Sequence, residues 1–299
     1  MSYKLRILSL GAGVQSSTIL LMACKGLLPR PDAAIFANTG WETNATYIHL
    51  EWLKVEAGKH GIEVIVCNNG DVREIIPTIK NPTTMHRSFM PFFTRTEVDV
   101  YDVEYDDEDN EVSKVWSGSV NSRGMLWRQC TQRFKLTPIK RTTRKALGIA
   151  PKQRAPKDCV EQWIGISTDE YHRIFSRHKD RMTFLRYPLI EMNMSRLDCA
   201  RWLMDNYQIT VPKSSCVGCP YHCDTEWRTL SPEEFRAACE FDNKIRNRVG
   251  LKGQAYLHRS CVPLSEVDLR TPEDRGQQVF DFAKDEKLNL FVNNISIHT

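Results

Sequence analysis

Leu5-Arg6-Ile7-Leu8-Ser9-Leu10-Gly11-Ala12-Gly13-Val14-Gln15-Ser16-Ser17-Thr18 passes from a strand pattern to a helix pattern through a turn of small residues. Leu5 to Leu10 is a short apolar run with β character. From Val14 the apolar positions take helical spacing until Gly26 stops them. Ala33-Ala34-Ile35-Phe36-Ala37 reads as a second buried strand. Residues 43 to 60 carry Tyr47, Leu50, Trp52, Leu53 and Val55 at helical spacing, stop at Gly61, and feed a third strand, Ile62 to Val66. Strands alternating with helices imply an α/β fold with a doubly wound parallel sheet, because parallel neighbours need a crossover and the helix supplies it.

In such a sheet the turn after the first strand opens into a crevice. Gly11 and Gly13 allow close approach, the following helix offers unpaired N–H groups, and Ser16, Ser17 and Thr18 add hydroxyls, a set that suits an anion. Two common phosphate loops do not fit. A Walker loop needs a lysine, and the dinucleotide pattern needs glycine where Ser16 stands. The bland alternative is a tight strand-to-helix turn.

The remaining chain sets limits on class. With 299 residues and 41% hydrophobic content it buries a real core, and 41 basic against 37 acidic residues leave a net charge of +4, too balanced for a polycation. No apolar run is long enough to span a membrane, and a cytoplasmic enzyme is the expectation. Residues 81 to 125 break the α/β rhythm with Asn81-Pro82, Met90-Pro91-Phe92-Phe93 and two β-like stretches around Asp106 to Glu111, which reads as a hairpin-like insertion with a charged, solvated tip. Helical pattern returns at 137 to 147, Gln162 to Ile166 reads as a core strand, and Ser195-Arg196-Leu197-Asp198 and Ser231-Pro232-Glu233-Glu234 open two further helices. The expected division is a nucleotide-binding α/β domain over 1–210 and a cysteine-bearing, helical C-terminal region over 211–299.

Ten cysteines are unevenly placed, with Cys216, Cys219 and Cys223 forming C-x2-C-x3-C. Clustered thiols in a reducing compartment favour a soft-metal site, either tetrahedral zinc or an iron–sulfur cluster. His222 is an alternative zinc ligand or a partly exposed histidine. Cys24, Cys67, Cys199 and Cys239 fall on apolar faces and read as inert buried thiols, and Cys159 is an outside candidate for a persulfide carrier.

Gly11-Ala12-Gly13-Val14-Gln15-Ser16-Ser17 and Phe36-Ala37-Asn38-Thr39-Gly40-Trp41-Glu42 together resemble the PP-loop and the "TG" motif of the phosphoadenosine phosphosulfate (PAPS) reductase superfamily, which includes sulfonucleotide reductases and ATP pyrophosphatases of nucleic-acid sulfur modification. Arg128 to Pro138 around Cys130, Gly165 to Arg173, and Tyr187 to Glu191 followed by Cys216-Val217-Gly218-Cys219 extend the resemblance in the family's order. The resemblance implies an adenine nucleotide alpha-hydrolase-like, Rossmann-like fold, and ATP with Mg2+ held by Gly11, Gly13, Gln15, Ser16, Ser17, Asn38, Thr39, Gly40 and Glu42. It also implies a 4Fe-4S cluster, with Zn2+ as the alternative, on Cys130, Cys216, Cys219 and Cys223, as in the ATPase of DNA phosphorothioation. Lys135, Asp169 and Arg173 become the catalytic candidates, and Arg128, Arg133, Lys140 and Arg141 the substrate-binding ones. The expected reaction releases pyrophosphate and activates a nucleic acid or base for sulfur insertion, with a cysteine desulfurase or thioredoxin as partner and a homo-oligomeric state. Two departures keep other readings open. Gln15 stands where pyrophosphatases carry an aspartate, which leaves a non-catalytic nucleotide-sensing module, and a PAPS or APS reductase would need Cys261 as its late nucleophile.

Overall fold

The computed structural model describes residues 4–73, 90–105, 111–174, 180–247, 251, 253–271 and 274–276. Its centre is a five-stranded, all-parallel sheet in the order β3-β2-β1-β6-β7, formed by Leu5–Leu10 (β1), Ala33–Asn38 (β2), Glu63–Asn68 (β3), Val160–Ile164 (β6) and Thr183–Arg186 (β7). Helices cover both faces, as an all-parallel sheet requires. Leu8 and Leu10 point into a core shared with Val14–Cys24 (α1), Asn44–Lys59 (α2) and Arg196–Tyr207 (α5). On the opposite face Ile7, Ile35 and Val160 pack with Ile139 of Thr137–Ala146 (α3). The two-residue period of the strand pattern thus sorts the side chains of β1 between two layers.

β1 lies between β2 and β6, so the chain winds outward to one side through β3 and then returns to the other side. A reversal of this kind leaves adjacent loops splayed apart and opens a crevice at the C-terminal ends of the strands.

The excursion between β3 and α3 contains a long antiparallel ribbon, Phe93–Tyr105 (β4) with Glu111–Met125 (β5), interrupted by a bulge after Val100. The expected insertion is therefore a hairpin, with its strands starting at Phe93; its charged tip and Asn81-Pro82 lie outside the described residues. The C-terminal region holds the short helices Pro188–Glu191 (α4) and Asp224–Arg228 (α6) on either side of α5, then Pro232–Ile245 (α7), and it adds a strand the sequence did not announce, Gln254–Tyr256 (β8), paired with the root of β4. A second core runs through this region, where Trp41, Phe92 and Phe134 meet Val217, Trp227 and Phe241. The helices expected to open at Ser195 and Ser231 both start there, each with a capping box, to Asp198 and to Glu234. The expected strand at 162–166 is observed two residues earlier, and no described helix is long and apolar enough to cross a membrane.

Candidate functional site

Three loops meet at the mouth of the crevice. The first, after β1, is closed by Ser16, whose hydroxyl accepts from the Gly11 N–H at 3.1 Å and donates to the Gly13 carbonyl at 3.3 Å. Ala12 takes a left-handed conformation (φ 53°), and α1 starts at Gly13 with no side chain capping it. The first-turn N–H groups of α1 therefore face the crevice without an intrahelical partner. Ser17 is fully buried beneath the loop, with its Oγ 2.9 Å from His49 Nε2 on α2. Burial lowers the His49 pKa to about 4, so the ring is neutral near pH 7 and Ser17 bonds to an uncharged imidazole. Nothing local in the sequence marks His49, since its partner is 32 residues away.

The second loop, after β6, presses on the first. A methyl group on Gly165 would sit 3.0 Å from the Ser16 nitrogen, so only a bare backbone fits between them. The Gln15 amide donates to Glu170 Oε2 at 3.2 Å and lies 3.4 Å from Ser167 Oγ, and Arg173 pairs with the same Glu170 at 2.7 Å. Gln15 and Arg173 thus meet through a carboxylate that no sequence motif singles out. Asp169 accepts from the Arg196 N–H at 2.9 Å, at the start of α5. Burial works against its charged form, but the Ser167 hydroxyl and that N–H outweigh it and hold the carboxyl below its ordinary range. Its observed role is to tie two loops together.

The third loop follows β2. Asn38 Oδ1 accepts from the Gly40 N–H at 2.8 Å and from the Tyr47 hydroxyl at 2.9 Å. Gly40 has φ 82°, and a Cβ there would lie 2.9 Å from Asp71, so glycine is required twice over. Thr39 donates to Glu42 Oε1 at 2.9 Å and lies 3.2 Å from Cys216 Sγ. Residues 41–43 are stitched to 215–217 by a bridge between Glu42 and Cys216 and by Val217 N–H to the Trp41 carbonyl at 2.8 Å. The nucleotide-loop candidates and the cysteine segment consequently form one structure.

Around that stitch lie Lys135, Cys130, Cys216 and Cys219. Lys135 Nζ is 3.9 Å from Glu42 Oε1 and reaches there from a π-helical turn, Thr131–Leu136, a rare geometry often found at functional sites. Burial opposes the ammonium charge, but Glu42 and the thiols of Cys216, Cys130 and Cys219 outweigh it and raise its pKa. Burial and then Glu42 push the Cys216 thiol up, and burial does the same at Cys219, with Cys130 adding to it. Glu42 is 4% exposed, and its Oε2 has no hydrogen-bond partner among the described residues, a costly arrangement for a buried carboxylate.

Cys223 stands apart. It is exposed and caps α6, its N–H donating to Glu226 Oε2 at 3.0 Å. Among the described residues no three Cys, His, Asp or Glu side chains converge as a metal site. Cys130, Cys216 and Cys219 lie around Lys135 without converging into such a site, and Cys223 is on the surface. His222 is buried, contrary to the expectation of partial exposure; its Nε2 lies 3.0 Å from Ser215 Oγ, its Nδ1 has no partner, and burial lowers its pKa to about 4. Cys159 and Cys261 are also buried, at 5% and 0% exposure, so neither thiol is presented to solvent.

The four substrate-binding candidates separate. Arg128 and Arg133 line one surface cavity of about 660 Å³ beside the π-helical turn. Arg141 donates to the Asn68 carbonyl at 2.7 Å and so fixes the end of β3, while Lys140 pairs with Asp180 at 2.9 Å. Comparison with protein-family models, curated proteins and solved structures returned no match.

Proposed function

We propose that this chain binds ATP in the crevice between β1 and β6 and uses it to activate an acceptor for sulfur insertion. The observation that carries the reading is the uncapped start of α1 at the point where the sheet order reverses. Backbone N–H groups and the helix dipole converge there on a position for phosphate, with no side-chain cation needed. Ser16 and Ser17, the hydroxyls expected to touch the phosphates directly, act on the loop instead. Ser16 shapes it and Ser17 anchors it to His49.

The chemistry that fits is attack by an acceptor oxygen on the α-phosphate. That bond forms as the bond to the β-phosphate bridging oxygen breaks, and pyrophosphate leaves with Mg2+. A hydrosulfide sulfur then displaces AMP, which carries away the acceptor oxygen, and the new thiol loses its proton; a persulfide donor would instead leave the acceptor joined to its carrier by a disulfide that a second thiol must cleave. Aligned N–H groups stabilise the charge that builds on the phosphoryl oxygens. Lys135 is the residue suited to act at the second stage, because its ammonium stands between the Glu42 carboxylate and the thiols and favours an anionic sulfur nucleophile. An iron–sulfur cluster or zinc would be held by Cys130, Cys216 and Cys219, with Cys223 as the remaining thiol, and would supply a soft site for sulfur. The full burial of Cys261 weighs against a reductase with a mobile late cysteine.

Ser16→Ala opens the loop by removing both of its bonds, and Lys135→Met removes the ammonium while keeping the stem. Ser16→Ala is expected to weaken ATP binding about tenfold or more, as one lost loop-closing contact implies. Lys135→Met should leave ATP binding in place and abolish sulfur transfer. Equal affinity for ATP in the wild type and Ser16→Ala, measured by equilibrium dialysis, would remove the crevice reading.

A further inference from the structure

The cavity beside the π-helical turn has a lining of unusual chemistry. Among the described residues it carries two guanidiniums (Arg128, Arg133), three primary amides (Asn69, Gln129, Gln132), one hydroxyl (Thr137) and one indole (Trp127). Trp127 is 80% exposed, more than any other large apolar side chain described. Arg128 of the lining also sits 5.2 Å over the ring of a second aromatic, Tyr221, which is itself 50% exposed. The Gln129 and Gln132 amides bracket Cys130, which interacts through charge with Lys135. The cavity and the thiol-and-lysine cluster are thus built from the same turn of chain.

Each group suits one part of a nucleotide. Guanidiniums attract phosphate. Amides present paired donors and acceptors that match base edges. An exposed indole and an arginine-stacked tyrosine offer flat faces to a base plane. Those faces are useful only to a base that has left its own stack, because a duplex keeps base faces covered and shows only edges and phosphates.

We propose that this cavity is the acceptor site and takes single-stranded nucleic acid, with an unstacked base on Trp127 and its phosphates on Arg128 and Arg133. This rests on the reading that the chain activates nucleic acid with ATP, and it adds the strandedness of the acceptor and the residue that selects it. The site brings a strand to the turn that bears Cys130 and Lys135, where sulfur would be delivered.

The test uses the full-length chain and a labelled single strand of about 12 nucleotides, within the usual site size for such grooves, compared with the same sequence as duplex by fluorescence anisotropy. ATP affinity is measured in parallel on each sample. The single strand is expected to bind at least tenfold tighter than the duplex. Trp127→Ala should weaken strand binding about 5- to 100-fold, the range for loss of one stacked base, and Trp127→Phe should restore most of it. ATP affinity should not change in either variant, because Trp127 is exposed and outside the crevice. Equal binding of duplex and single strand, or full strand affinity in Trp127→Ala, would overturn the proposal while leaving ATP binding intact. Failure of ATP to bind a protein that still needs Trp127 for strand binding would instead remove the ATP reading and keep the strand site.

Discussion

Replacing Gly165 with alanine tests the crevice at its tightest point. The added methyl would lie 3.0 Å from the Ser16 nitrogen, 3.2 Å from its Cα and 3.4 Å from the Gln15 carbonyl carbon. Comfortable carbon contacts begin at about 3.5 Å, so the loop must retreat by roughly 0.5 Å or the strand end must move. The backbone at Gly165 is not left-handed, so the cost is contact alone. Overpacking of this degree costs about 1–3 kcal/mol. A retreat of roughly 0.5 Å also stretches a phosphate hydrogen bond from about 2.9 Å towards 3.4 Å, close to the limit of a useful bond. Loss of one bond to a charged group, about 1.5–3 kcal/mol, weakens binding by roughly 10- to 100-fold. Urea denaturation reads the first effect and displacement of a fluorescent ATP analogue reads the second. Gly165→Ala with both an unchanged unfolding midpoint and unchanged ATP affinity would refute the claim that this contact shapes the anion site. A drop in stability with full affinity would confine the contact to packing.

Gly58 gives the opposite case. It lies in α2 with nothing within 4 Å of an added Cβ, so Gly58→Ala should stabilise the fold by about 0.5–1 kcal/mol, seen as a higher urea midpoint with the same ATP affinity. His49 and His222 are both held near pKa 4 by burial, against 6.5 when unfolded. The unfolded chain therefore takes up protons first as pH falls. Stability is full above about pH 6.5 and declines towards pH 4 by up to about 1.4 kcal/mol per pH unit for each ring. Urea midpoints at pH 7.5 and 5.0 check the sign, and a higher midpoint at pH 5.0 would contradict it. Among the ten thiols Cys223 alone is exposed, whereas burial raises Cys24 and Cys199 to about 11. Iodoacetamide at pH 8 should label Cys223 first and Cys24, Cys199 and Cys216 last. Protection of Cys223 in protein prepared anaerobically with iron and sulfide, read by peptide mass mapping, would identify it as a ligand of the loaded form, and undiminished labelling would exclude it.

The first half of the parallel sheet is legible because its signals are local. β1, α1, β2, α2 and β3 each pair an apolar run with a glycine stop within a few residues, and every expected boundary there falls within two residues of the observed one. β7 escapes notice because only four residues form it and their burial does not alternate cleanly. β8 is three residues long and exists only because the root of β4 offers it an edge. The same distinction runs through the site. Gly11, Gly13, Thr39 and Cys216 can be named from motifs, but what their neighbours do depends on residues distant in sequence. Asp169 turns to the start of α5, Arg141 holds the end of β3, and Cys223 satisfies the local demand of α6 for a cap. Spacing picked out these side chains, and tertiary context set the contacts they make.

The stitch between Glu42 and Cys216 then explains why the two halves of the candidate site occur together. Trp41 has almost no freedom: it is 5% exposed, packs edge-on against Phe241 at 4.9 Å, and lies so close to Gly218 that a Cβ there would fall 2.2 Å from its ring. The loop after β2 and the Cys216–Cys219 turn therefore cannot shift independently. Glu42 shares its Oε1 between Thr39 in the crevice wall and Lys135 beside the thiols. A ligand that draws Thr39 away must leave that oxygen to Lys135, and loss of the lysine must leave a buried carboxylate with one partner fewer. A single oxygen atom thus joins the crevice wall to the charged group beside the thiols.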